Sequence, residues 1–212
     1  MIINRSISKE QIKQYPRAKF PGAIEVISNR NAAKKAIAYL NTQEALGIDT
    51  ETRPAFKKGV TYKVALFQIS SNDICFLFRL NIIGLIPELI ELLENPRIIK
   101  IGLSLRDDFM MLHKREPFKQ QSCIDLQTKV KDFGIQDKSL QKIYAILFKE
   151  KISKSQRLSN WEATELSEAQ QRYAALDAWS CLRIFTLLVE LKQTNEYTIT
   201  PSIPSDKKIT IK

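Results

Sequence analysis

Apolar positions along this chain change spacing several times, and the changes mark out an α/β order. Three short apolar runs at 45–51, 63–70 and 74–79 are rich in Val, Ile, Leu and Phe, and their connections are short enough for an antiparallel meander. Before them, 31–40 reads as an alanine-rich helix capped by Asn29 or Asn31. After them the pattern alternates: helix at 85–93, strand at 98–102, helix at 104–114, strand at 122–125. That alternation predicts parallel strands added to the same sheet. The remainder is mainly helical, around 125–133, 139–149 and 167–194. A mixed sheet of five to six strands flanked by helices is expected. Residues 1–22 are polar and basic, with Pro16 and Pro21, and read as an arm; 23–195 form the single domain; 196–212 are a tail containing Pro201, Pro204, Lys207 and Lys208. Whether the tail is an ordered strap or a frayed end stays open.

Composition changes this picture in one respect. With 212 residues, 44% hydrophobic and 26% charged, the chain can bury one large core. Its 33 Lys and Arg against 23 Asp and Glu, a formal charge of +10, favour a polyanionic partner. Part of the surplus is local: between 129 and 157, eight cations (Lys129, Lys131, Lys138, Lys142, Lys149, Lys151, Lys154, Arg157) face only Asp132, Asp137 and Glu150. Three cysteines, Cys75, Cys123 and Cys181, without C-x-x-C spacing read as buried free thiols in a reducing, cytoplasmic setting, with no zinc site. No apolar run approaches the roughly 20 residues of a membrane span, and the first residues lack the core of a secretory signal, so no membrane partner is expected.

The candidate chemistry lies in three separated segments. In Ile48-Asp49-Thr50-Glu51-Thr52 the two acids are two apart, which puts both on one face of a strand. Lys100-Ile101-Gly102 leads to the adjacent Asp107 and Asp108. In Tyr173-Ala174-Ala175-Leu176-Asp177 the phenol and carboxylate are four apart, stacked on one helix face. Convergent carboxylates repel one another unless a cation neutralises them, and hard divalent ions such as Mg²⁺ take such oxygen ligands. His113, the only histidine, is expected to face solvent; Trp161 and Trp179 are expected to be core anchors.

These segments, in this order, resemble the DEDD superfamily of 3′-to-5′ exonucleases, in the tyrosine subclass that includes RNase D and the exonuclease domain of the Werner syndrome protein. Lys63-Val64-Ala65-Leu66-Phe67-Gln68-Ile69 resembles the second strand of the Werner-type domain, and Arg157-Leu158-Ser159-Asn160-Trp161 with Leu166-Ser167 resembles the lead-in to the third motif. The resemblance covers roughly residues 22 to 192. It implies a ribonuclease H-like fold for 23–195 and a catalytic set of Asp49, Glu51, Asp108, Tyr173 and Asp177, the family spacing selecting Asp108 over Asp107. It also implies two Mg²⁺ or Mn²⁺ ions held by the four carboxylates, with Tyr173 orienting the attacking water. The implied substrate is nucleic acid with a free 3′ end, cut to nucleoside monophosphates, with DNA favoured over RNA. An RNase D-like RNA processor, or a binding module that keeps the fold without the reaction, are the alternatives. Arg53, Phe56, Lys57, Lys58 and Arg157 are the expected nucleic-acid contacts, Phe56 either stacking on a terminal base or closing the core beneath its loop.

Overall fold

The computed structural model describes residues 1–57 and 59–201. The arm contains β1 (Ile2–Ile3) and α1 (Lys9–Gln14), followed by β2 (Ala23–Ile27) and α2 (Arg30–Leu40). The meander is β3 (Ala45–Thr52), β4 (Val64–Ser70) and β5 (Ile74–Arg79). Next come α3 (Leu80–Ile83), α4 (Pro87–Glu94), β6 (Ile99–Gly102), α5 (Leu105–His113), β7 (Cys123–Asp125) and α6 (Leu126–Lys129), which runs into a 3₁₀ turn. The chain closes with α7 (Leu140–Phe148), α8 (Glu168–Thr194) and β8 (Thr198–Ile199).

Six strands form one mixed sheet in the order β2-β5-β4-β3-β6-β7. The meander pairs antiparallel as its short connections require, while β6 and β7 add parallel to β3. The sequence pattern does not predict β2, which pairs parallel with β5 at the sheet edge. It is only five residues long, with Ala23 and Glu25 exposed, Ile24 and Val26 partly buried and Ile27 buried, too short a run to stand out from the polar segment before it. Nor does the pattern predict α1, inside the polar arm, or the small pair β1–β8.

Helices cover both faces of the sheet. One side packs Leu46 and Ile48 of β3 against Leu105, Phe109 and Leu112 of α5, together with α2 and α4. The other side receives α8, whose Tyr173, Ala174, Ala175 and Ala178 lie on Leu66 and Leu77. Lying between two layers, β4 buries every one of its residues. The approach of α8 is close: a Cβ on Gly47 would collide with the carbonyl oxygen of Ala178. Only glycine lets strand and helix backbones meet there.

Two devices set where α8 begins. Ser167 and Gln170 form a reciprocal capping box at its N-terminus. Ahead of it, Trp161 is fully buried, and the buried Arg79 guanidinium donates to the carbonyls of Ala163 and Thr164. The arm is tied down as well, with Ile3 and Ile7 in the core and the Ala18 amide donating to the Lys151 carbonyl at 3.0 Å. Among the described residues, no helix is long and apolar enough to cross a membrane.

Candidate active site

Gly47, Asp49 and Glu51 alternate along β3 onto the face turned toward α8. Across the antiparallel pair, Gln68 of β4 stands opposite Asp49 and Leu66 opposite Glu51. From above, α8 lowers Asp177, only 4% exposed, and Tyr173 one turn before it. Carboxylate oxygens of Asp49, Glu51 and Asp177 all lie within 4.8 Å of one another.

Asp108 is placed differently. β6 pairs with β3 only as far as Gly47, leaving the strand edge beyond it open, and α5 delivers Asp108 to that side. Thr50 lies between the two acids of β3 and faces away from them, donating its hydroxyl to Asp108 Oδ1. Asp108 therefore stands outside the close trio yet near enough to act on its charges. Asp107 points to solvent.

Electrostatics confirms how crowded the cluster is. Burial, then the carboxylates of Asp108, Asp177 and Glu51, push Asp49 well above the usual range. Glu51 is raised to about 9, first by burial and then by Asp177 and Asp108, with Arg157 partly offsetting. Burial lifts Asp177 to about 7 against the opposing influence of Tyr173 and Lys154. Asp108 rises to about 6 by burial, with the Thr50 hydroxyl holding it lower than it would otherwise be. The Tyr173 phenol is raised by burial, Asp177 and Glu51, so it stays protonated and has an O–H to donate.

This donor set fits a hard divalent cation. All the groups are carboxylate oxygens, one of them, Asp177 Oδ1, buried with no hydrogen-bond partner among the described residues. The charge that burial suppresses is what a bound Mg²⁺ or Mn²⁺ would restore.

The connection that leaves β3 just after Glu51 forms an exposed rim. Phe56 is 85% exposed, so it does not close the core beneath its loop. With Arg53, Lys57, Val60, Leu158 and Asn160 it lines a groove of about 560 Å³. Arg53 is partly engaged, its Nη1 3.4 Å from Glu162 Oε2 and its guanidinium over the Tyr62 ring. Lys57 and Arg157 are exposed, and Lys58 lies outside the described residues, as do Pro204, Lys207 and Lys208. Much of the lysine-rich stretch is occupied locally: Lys129 by Asp132, Lys142 by Asp137, and the Lys151 ammonium by the Lys13 carbonyl. His113 is exposed against Phe118, while Trp161 and Trp179 are buried.

Sequence reasoning passed over three residues here. Thr50 orients Asp108, and the exposed Leu158 joins the Phe56 groove. Gln68 is fully buried beside Asp49 with neither side-chain amide atom hydrogen-bonded among the described residues. The strand register, which places Gln68 opposite Asp49, is the signal that would have found it.

The six-stranded mixed sheet flanked by helices, with the carboxylate trio on and over its central strand, has the ribonuclease H-like fold. Sequence comparison gives the family: the model of the 3′-5′ exonuclease domain matches residues 24–192, and the chain belongs to that family. It is similar to the bifunctional 3′-5′ exonuclease/ATP-dependent helicase WRN of mouse, 28% identical over 203 residues covering 91% of this chain and 14% of that protein. It also resembles exonuclease 3′-5′ domain-containing protein 2 of Drosophila melanogaster, 34% identical over 154 residues covering 71% of this chain and 26% of that one. The chain thus spans well under half the length of these two relatives. In fold it resembles the crystal structure of the Aedes aegypti Nibbler EXO domain, with TM-score 0.73 and 21% identity over 82% of this chain and 90% of the other.

Proposed function

We propose that this domain removes nucleoside monophosphates from the free 3′ end of a nucleic acid strand, with DNA preferred over RNA. One observation carries the reading: three carboxylates converge within 4.8 Å of one another, with the protonated Tyr173 one helical turn before Asp177. Asp49, Glu51 and Asp177 would hold divalent cations, with Asp108 joining once it turns from Thr50. When bound, the cations supply neutralising charge for the phosphate and activation of the attacking water. Tyr173 donates a hydrogen bond that orients the water oxygen toward phosphorus. Arg157 and Lys154, at the rim, attract the phosphate backbone without reading sequence. Exposed Phe56 stacks on the terminal base. The preference for DNA is supported by the Werner-like strand Lys63 to Ile69 and the loop before it. Buried Cys75 and Cys181 suit a reducing compartment.

Matched 5′-labelled DNA and RNA single strands, digested with Mg²⁺ or Mn²⁺ and with chelator, test this reading. Stepwise 3′ shortening that needs metal and is faster on DNA is expected. Faster shortening of RNA would reverse the substrate assignment, and no shortening of either would leave a binding module.

A further inference from the structure

A cavity of about 440 Å³ opens beside Tyr173 and shares no residue with the groove at Phe56. Its walls come from the end of the arm, the start of β2, the segment after α7 and the first turns of α8. Four basic residues line it: Arg17, Lys19, Arg172, and Lys151, whose ammonium is held by the Lys13 carbonyl. The acid among them, Glu168, is taken by Arg172, while Arg17 and Lys19 have no carboxylate partner among the described residues. The inner surface is apolar, formed by Phe20, Ile24 and Leu176. Phe20 is itself held against Trp179, with ring centroids 5.6 Å apart. An apolar wall beside Arg17 and Lys19, the two cations unpaired among the described residues, suits a nucleoside with its phosphate, and the volume lies in the range of small-ligand pockets.

The segment joining α7 to α8 connects this cavity to the chemistry. In chain order, Lys151, Ser153 and Ser155 line the cavity, Lys154 and Arg157 act on Asp177 and Glu51, and Leu158 and Asn160 line the Phe56 groove. A single loop, 151–160, thus supplies residues to the cavity and the groove and cations that act on the carboxylates. A strand laid along that loop would meet all three.

We propose that the cavity is a second nucleotide site, holding a phosphate-bearing unit of the substrate strand on the 5′ side of the scissile phosphodiester while the 3′-terminal nucleotide occupies the Phe56 groove. The assignment rests on the exonuclease reading above. A free nucleoside monophosphate has the same chemistry as one unit of the strand. The strand is favoured because Tyr173 lines the cavity and one loop contributes to both the cavity and the groove.

The test uses the full chain in an Asp177→Asn background, so that strands bind without being cut. Deoxynucleoside monophosphate and an eight-nucleotide DNA single strand are titrated over a salt series with Mn²⁺, with and without the double change Arg17→Ala, Lys19→Ala. Both residues are exposed, and the backbone bonds that anchor the arm do not involve their side chains. Octamer affinity should fall about tenfold and its log-log salt slope flatten by about 1.4, at about 0.7 for each phosphate that is no longer neutralised. Mononucleotide affinity should not move. A second variant, Ala169→Trp, fills the cavity without changing charge and should lower octamer affinity selectively. Unchanged octamer affinity and slope in both variants would overturn the site. Equal losses for mononucleotide and octamer would overturn the strand assignment and make the cavity a product site. If the unmodified chain shows no metal-dependent shortening yet the octamer-selective loss appears, the exonuclease reading fails and the second nucleic-acid site stands.

Discussion

Asp49, Glu51 and Asp177 stand on a central strand and a 27-residue helix whose backbones are held by ladder hydrogen bonds and by direct contact at Gly47. Arg53, Phe56 and Lys57 stand on the connection between β3 and β4, where one side chain is 85% exposed and another is shared with Glu162. The first group is fixed against strong mutual repulsion. The second meets little resistance and little support. Preorganised charge matters where bonds are broken, whereas backbone phosphates of any sequence can be held by cations that adapt.

Breaking the floor should have the largest effect. Asp49→Asn or Asp177→Asn should nearly abolish metal-dependent shortening while leaving the fold intact, checked by turnover and thermal melting. Asp108→Asn should do the same if Asp108 leaves Thr50 to join the trio, whereas Asp107→Asn should be close to neutral. The same crowding predicts a pH response in metal-free protein. Glu51 is raised from 4.5 to about 9 and Asp177 from 3.8 to about 7, so the folded state binds more protons than the unfolded one between those limits. Stability should therefore fall as pH rises from about 4 toward 9. Saturating Mg²⁺ should flatten that slope; a metal-free melting temperature that climbs over this interval would contradict the crowding.

Next in size is Tyr173→Phe, which should lower turnover on the order of 10²-fold with metal affinity retained. Equal turnover in a single-turnover assay would reduce Tyr173 to packing against Trp161.

At the rim, Phe56→Ala should weaken single-strand binding by about 1–3 kcal/mol if a base stacks there, with turnover at saturation near the parent rate. Smallest is Lys57→Ala, which should flatten the log-log salt slope by about 0.7 if its ammonium neutralises one phosphate. A rim change that destroyed turnover at saturating substrate would erase the distinction between the two regions.

The floor was legible in the sequence because spacing is enough to define a face: two residues apart on a strand, four apart on a helix. The same rule explains why β3 to β7 and α8 were expected near their observed limits. The rim was less legible because its partners are distant in sequence: Arg53 meets Glu162, and Phe56 meets Leu158, across a separation that no local pattern encodes. Thr50 was hidden for another reason. Its position between two acids made it look like a spacer, and only the placement of α5 reveals its bond to Asp108. The edge strand β2 escaped because its alternation runs for only five residues directly after the polar arm.

Gly47 bears no charge, donates no side-chain bond and touches no substrate in the proposed reaction. Yet the residue it lets descend, Ala178, is the immediate neighbour of Asp177. The height at which α8 rides over β3 is thereby the height at which the third acid meets the other two. A methyl group at position 47 would act as a shim, moving one ligand of the cluster without altering any ligand. The chemistry therefore depends on a residue that has none, and a laboratory search restricted to polar side chains would pass it by.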